Sequence, residues 1–440
     1  MIKINFNNIA NYLIILLPAF LITGPFLSDL SVVIIDIIFI YYLIKEKNFK
    51  FLNNFLFKIL IIFNIYITIR SLFADDMLYS LKSSFTYMRF IFFIFAVNFF
   101  LNKNEKLIIY FSKIFFLTIL ILFSDSIFQY FFGYNFLGYA NNNPDKLNGL
   151  FGDEGVLGSY LIRLLPLLMC CYLYLYENKN QFYFIFILTA IGSLIFLSGS
   201  RTSVALLILF ISILFIIVKD YRKYFLLLIV MASLFLSIII SYENMNSKIK
   251  QEAIGIKDFN SKIGYRVYYN IYDPFLRIFS DKHNTTKNDY NSKNFRIFSE
   301  VYESHYKTAY KMFINNKIFG VGNKMYRKLC DNEKYYVNNF SCTTHPHNFY
   351  MQILAENGIV GLIFILFFFS YIVKNLFNEF ISRNFKNKMI LNNKALLILI
   401  GFFINLWPII PSGSFYNNWL SILIYLPVGF YLFFKKKTHE

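Results

Sequence analysis

The sequence predicts an all-α polytopic membrane protein with about twelve transmembrane helices and one large periplasmic loop. Three observations predict it. Hydrophobic residues make up 57% of the 440 and aromatics 21%, more apolar surface than one soluble core can bury. The apolar runs are each close to the roughly 20 residues a helix needs to cross the hydrocarbon. They also lack the alternation of a membrane barrel, so the spans are helices.

The apolar windows place spans near 9–27, 29–44, 54–72, 84–101, 107–130, 154–176, 182–198, 202–218, 224–241, 357–373, 395–411 and 415–434. The first lacks a short apolar core followed by a small-residue cleavage site, so it reads as an uncleaved helix. Short loops keep Lys and Arg on the cytoplasmic side. With both termini inside, the inner segments, from residues 1–8 through "KEKNFK" to the closing "KKK", hold 18 of the 43 basic residues. The short outer loops hold only Lys82, Lys146 and Arg201. That asymmetry divides the chain into helices one to nine over 1–241, a periplasmic loop over 242–349, and helices ten to twelve with a cytoplasmic C-terminus over 350–440. The formal charge of +18 would suggest nucleic acid in a soluble protein. Here it reflects retention signals and attraction to anionic membrane lipids, and no nucleic-acid partner is expected.

Inside the long loop, "SKNFRIFSEVYESHYKTAYKMFINN" (292–316) sets Phe295, Phe298, Val301, Tyr302 and Tyr306 at helical spacing. An amphipathic helix lying on the membrane face is expected there. "FGVGNKMYRKLC" (319–330) follows as a glycine-broken turn. Cys330 and Cys342 flank eleven residues, and in an oxidising compartment a disulfide is the leading expectation, two reduced thiols the alternative. Cys170 and Cys171 lie in an apolar helix and read as small packing residues.

Ionisable side chains inside spans are costly and count as functional candidates. Arg70, Arg89, Arg163 and Arg201 all fall at the outer side of their spans. Snorkelling to headgroups accounts for any one of them alone. Several guanidinium forks together suit the oxygens of a lipid-linked phosphate or pyrophosphate. Asp36 and Asp125 read as counter-ions or, preferably, as buried helix–helix hydrogen bonds. Asp153–Glu154 in "GLFGDEGVLGSY" reads as the capped start of a helix.

The stretch "CTTHPHNFYMQILAENG" (342–358) holds two of five histidines. Pro346 suits a first helical turn, after which Asn348, Gln352 and Glu356 share one face as a polar stripe. Gly358 permits a break, and with Gly361 it lets the following span approach a neighbour closely. A neutral His347 imidazole is suited to accept a proton from an attacking sugar hydroxyl, or to orient it. His345 and His347 would supply two metal ligands, but no third and fourth lie nearby, so no metal is expected. His345 reads as an interfacial ring bonded to backbone, and His305 and His283 as structural or solvated.

His347–Asn348, nine residues, then Gly358-x-x-Gly361 resembles the H-[N/S/Q]-x9-G-x-x-G signature of the O-antigen ligase and polymerase superfamily. "NGLFGDEGVLGSYLIRLLPL" (148–167), "SGSRTSVALLIL" (198–209) and the segment from Arg296 through Gly320-Val321-Gly322 resemble further parts of that family. The resemblance implies a twelve-span glycosyltransferase that moves a glycan from undecaprenyl pyrophosphate at the periplasmic face of the bacterial inner membrane. It implies transfer without a metal or other cofactor. The acceptor would be lipid A-core in a ligase and another glycan repeat in a polymerase. Position by position, His347 would be the base or orienting residue, and Arg201 and Arg296 would bind the pyrophosphate. Arg163 and Arg89 join them on the depth argument above. Asn348, Gln352, Glu356, His345, Gly358 and Gly361 would support them.

A protein-glycosylating ligase is a third reading within the enzyme class. Outside it, a lipid-linked glycan transporter would use the same arginines without breaking a bond. Transporters carry repeats and broken helices around a midplane site, whereas here the unusual polar residues gather at one face.

Overall fold

The computed structural model describes residues 6–140, 146–176, 181–254 and 298–438. Among these the only β pairing is an isolated bridge between Tyr134 and Ala140. The helices in chain order are α1 (Phe6–Phe20), α2 (Pro25–Glu46), α3 (Phe55–Ser71), α4 (Met77–Thr86), α5 (Met88–Lys103), α6 (Lys106–Phe132), α7 (Leu157–Tyr176) and α8 (Gln181–Leu197). Then come α9 (Arg201–Ile217), α10 (Lys219–Arg222), α11 (Phe225–Ile254), α12 (Glu300–Asn315), α13 (Tyr326–Leu329), α14 (Phe349–Phe385), α15 (Asn393–Asn405) and α16 (Asn418–Lys436).

Six segments are long and apolar enough to cross a membrane: α2, α4–α5 together, α6, α7, α14 and α16. α1, α8, α9, α15 and the Phe225–Ile239 part of α11 are shorter apolar helices. The protein is therefore all-helical and multi-pass.

Polar caps mark where helices start. Side-chain oxygens of Asn54, Asp76, Ser200, Ser299, Asn348, Asn392 and Asn417 accept from backbone N–H groups one turn on, satisfying donors that no helical carbonyl reaches. At the centre is α7, with all but four of its residues buried. It packs along α15, and α5 packs along α16. Glycines allow both close approaches. A Cβ on Gly401 would meet Pro166 Cγ at 2.8 Å, and one on Gly429 would meet Val97 Cβ at 2.6 Å.

Several boundaries differ from expectation, each for a local reason. The 395–411 window is helical only to Asn405, because Pro408 and Pro411 remove backbone donors and disfavour a helical residue before them. The freed segment crosses to the site, where Ser412 N–H donates to the His347 carbonyl at 2.8 Å. α11 runs on to Ile254 rather than stopping at 241. α14 begins after Asn348, so Pro346 lies outside it. Asp153 and Glu154 lie before α7, whose first turn holds no acidic residue. The helix expected over 292–316 spans Glu300–Asn315, and Phe295 lies outside the described residues. Its buried face, Ser304, His305, Thr308, Ala309 and Met312, packs on α14.

Candidate active site

The site is built where α14 breaks. Gly358 has φ 64° and ψ −161°, which interrupts the helix. Loop 317–322 fills the gap. Val321 and Gly322 N–H groups donate to the Ala355 and Glu356 carbonyls at 2.9 and 2.8 Å, and Ile359 N–H donates to the Lys317 carbonyl at 2.9 Å. Backbone groups released by the break are thus paired, as buried ones must be. Arg70 clamps the same loop, its Nε donating to the Phe319 and Gly320 carbonyls at 3.1 and 3.0 Å.

The polar stripe holds this junction together. Asn348 caps α14 through Tyr350 and Met351 N–H and donates to the Pro408 carbonyl at 2.7 Å. Gln352 donates to Glu356 Oε2 and Ser414 Oγ, both at 3.1 Å, and accepts from Phe415 N–H at 2.8 Å. Glu356 is fully buried and also accepts from Tyr326 N–H at 3.2 Å. All three side chains therefore face protein partners. Gly361 sits one turn beyond the break, against Asn357 and Ile353 of its own helix.

In front of this junction three imidazoles meet. The His347 ring lies 4.2 Å from that of His345 and 5.3 Å from that of His305, the latter stacked at 27°. His347 itself has φ 55°, a left-handed conformation rare for a residue with a Cβ. Thr344 Oγ1 is 2.8 Å from His345 Nδ1. His305 is 4% exposed, and its Nδ1 is buried without a hydrogen-bond partner. Burial lowers all three rings below the ordinary imidazole value. It holds His345 down at about 3 and His305 at about 4, each helped by the nearby His347 charge, and it lowers His347 as well. Neutral rings at working pH can take up a proton.

Tyr302 links this cluster to a cation. Its ring meets His347 edge-on at 5.4 Å and 62°. Burial raises its phenol, while the charge of Arg201 pulls it back. On the opposite flank Arg327 Nε donates to the Thr344 carbonyl at 3.1 Å. Lys324 is lowered by burial, then by Arg327, with Arg89 and Lys82 acting in the same sense. Cys330 and Cys342 are joined in a disulfide with Cα atoms 5.1 Å apart. The Tyr326 hydroxyl donates to the Ser341 carbonyl at 2.8 Å and to that of His305 at 3.3 Å. These ties fix the segment that carries His345 and His347.

The four outer arginines do not converge. Arg163 is buried and donates to Ser159 Oγ at 3.2 Å and to Asn405 Oδ1. Arg89 pairs with Asp29 at 2.8 Å rather than with Asp36, and Arg70 is spent on its loop. Of the four, only Arg201 acts on Tyr302, whose ring packs against His347. Asp125 accepts from Phe136 N–H at 2.8 Å, a structural bond. Arg296 and His283 lie outside the described residues. Among those described, Cys330, Asp331 and Cys342 are the one group with metal-ligand spacing, and their two sulfurs are bonded to each other.

Sequence reasoning missed His305, Tyr302, Lys324 and Arg327 as site neighbours. A signal existed for His305, which shares the inward face of α12 with Thr308, Ala309 and Met312. Nothing in its own spacing pointed to residues some forty positions away.

A break in an apolar helix, filled by a loop and fronted by imidazoles and cations, is the arrangement the site presents. Residues 184–366 match the family model described as O-Antigen ligase, a segment that holds His305, His345, His347 and Arg201. The match covers less than half of the chain and supports its place in the O-antigen ligase and polymerase superfamily. The match points to an O-antigen ligase/polymerase-type membrane glycan enzyme. No curated protein matches the chain.

Proposed function

We propose that this protein is a ligase that transfers a glycan from undecaprenyl pyrophosphate to lipid A-core at the periplasmic face of the bacterial inner membrane. The observation that carries the reading is the His347 imidazole, 4.2 Å from the ring of His345, 5.3 Å from that of His305 and 5.4 Å from that of Tyr302, whose phenol feels the charge of Arg201. His347 accepts the proton of the acceptor hydroxyl as its oxygen bonds to the sugar C1. The C1–oxygen bond to pyrophosphate breaks, and the electron pair leaves with the pyrophosphate. Arg201, with Arg296, stabilises the charge that develops there. Pyrophosphate is already a good leaving group, so cations suffice and no other cofactor is invoked. Arg89 and Arg163, engaged by Asp29 and by Asn405, hold helices in place. The basic residues of the short loops support cytoplasmic termini and an outward-facing loop 242–349.

The test is transfer of a labelled undecaprenyl-pyrophosphate glycan to purified lipid A-core in EDTA, by the wild type, His347→Ala and Arg201→Ala. Product from the wild type alone supports the reading. Equal product from all three removes His347 and Arg201 from the site. Lengthened glycan in place of ligated core makes the protein a polymerase, and a folded protein that yields neither favours a transporter.

A further inference from the structure

The structure assigns Tyr302 as the shelf for the first sugar ring of the donor, the ring whose C1 is attacked. The assignment rests on the proposed reading of Arg201 and His347. In a displacement at C1, the leaving pyrophosphate and the incoming hydroxyl lie on opposite sides of the sugar. The side chain standing between their two protein partners therefore lies beside that sugar. Tyr302 suits this place: its ring meets His347 at 5.4 Å, and its phenol feels the charge of Arg201.

Its surroundings separate it from an ordinary packing residue. Core tyrosines of this protein such as Tyr326 and Tyr416 are fully buried, whereas Tyr302 is only partly covered. It belongs to an aromatic row along α12. Tyr306 lies parallel to it at 6.4 Å and 12°, and Phe298 meets Tyr306 edge-on at 5.0 Å. Such rings carry a negative face that attracts the weakly positive C–H groups on the apolar face of a pyranose. Positive charge that develops on the sugar as its bond to pyrophosphate loosens is attracted to the same face.

The experiment compares binding of two probes to the full chain in nanodiscs: polyprenyl diphosphate and polyprenyl diphosphate bearing one N-acetylglucosamine. Each is titrated against the wild type, Tyr302→Phe and Tyr302→Leu. Tyr302→Phe keeps the ring and is expected within about twofold of the wild type for both probes. Tyr302→Leu is expected to weaken the sugar-bearing probe about tenfold while leaving the bare diphosphate unchanged. Equal losses for both probes, or a wild type that binds both equally, overturn the assignment. A rise in acceptor KM with donor binding intact also overturns it. Because Tyr302→Phe preserves packing, its loss of sugar binding would show that the hydroxyl, not the ring, is needed, and would overturn the shelf. His347→Ala is titrated in parallel. Intact binding in that variant together with intact transfer refutes the base while leaving the Tyr302 comparison readable.

Discussion

Gly320 and Gly358 cross backbone to backbone. A Cβ on Gly320 would lie 2.4 Å from Asn357 N, and one on Gly358 would lie 2.3 Å from the Ile318 carbonyl oxygen. Both glycines have positive φ, 70° and 64°. The crossing seats loop 317–322 in the break of α14, and the histidine segment is built against that junction.

Either glycine is therefore intolerant of alanine. The left-handed backbone alone costs about 1–2 kcal/mol, and the backbone clash adds to it. Gly320→Ala and Gly358→Ala should lower the thermal midpoint in detergent and abolish transfer. Gly152 shares the positive φ but has nothing within 4 Å, so Gly152→Ala should show only the backbone cost. Equal midpoints for all three variants would refute the close crossing.

Acidification should destabilise the fold. Folding depresses His305 to about 4 and His345 to about 3, from an ordinary 6.5. Below 6.5 the unfolded chain binds more protons than the folded one, so stability falls with pH until the folded values are reached. The thermal midpoint should drop between pH 7 and pH 5, and less steeply in His305→Phe. A midpoint that rises over that window would contradict the burial of these rings.

His347 is lowered by burial alone, which places the acid limb of kcat/KM below the usual imidazole value of about 6.5. A rate profile over pH 4–8 checks this, and an acid limb above 7 would show that another group titrates.

Two arginines should separate stability from activity. Arg163→Ala strands a buried Asn405 oxygen and should cost about 1–3 kcal/mol of stability. Arg201→Ala should leave the thermal midpoint nearly unchanged and reduce transfer on the order of 10²-fold. Melting curves and transfer rates of both variants decide it, and a reversed pattern would exchange their roles.

Reduction should loosen the segment before His345. Opening the loop closed by Cys330–Cys342 removes about 3 kcal/mol in the chain-entropy model. Maleimide should label these two cysteines only after reduction, because Cys170 and Cys171 stay buried. Labelling of Cys330 without reductant would show that the bond is not formed.

Much of the fold was legible because a membrane helix announces itself locally. Length and apolar character fall in one continuous window, as in α6 and α7, and capping residues such as Asn54 sit beside the helices they start. The resemblance to the family was legible for a similar reason, since His347, Asn348, Gly358 and Gly361 lie within one short stretch. The start of α14 was misread by two residues. Asn348 caps more strongly than Pro346 initiates, because its oxygen reaches two free N–H groups.

The sequence by itself determined the helical membrane class, the resemblance to the superfamily and the histidine motif, all of which depend on residues close in the chain. Only the tertiary structure decided which polar groups meet. Counting along the chain groups Arg163 and Arg89 with Arg201, yet helix rotation turns one to Asn405 and the other to Asp29. His305 and Tyr302 reach His347 because α12 packs on α14. Depth along a helix can be counted from the sequence, but rotation about its axis is set by which neighbours its side chains fit against.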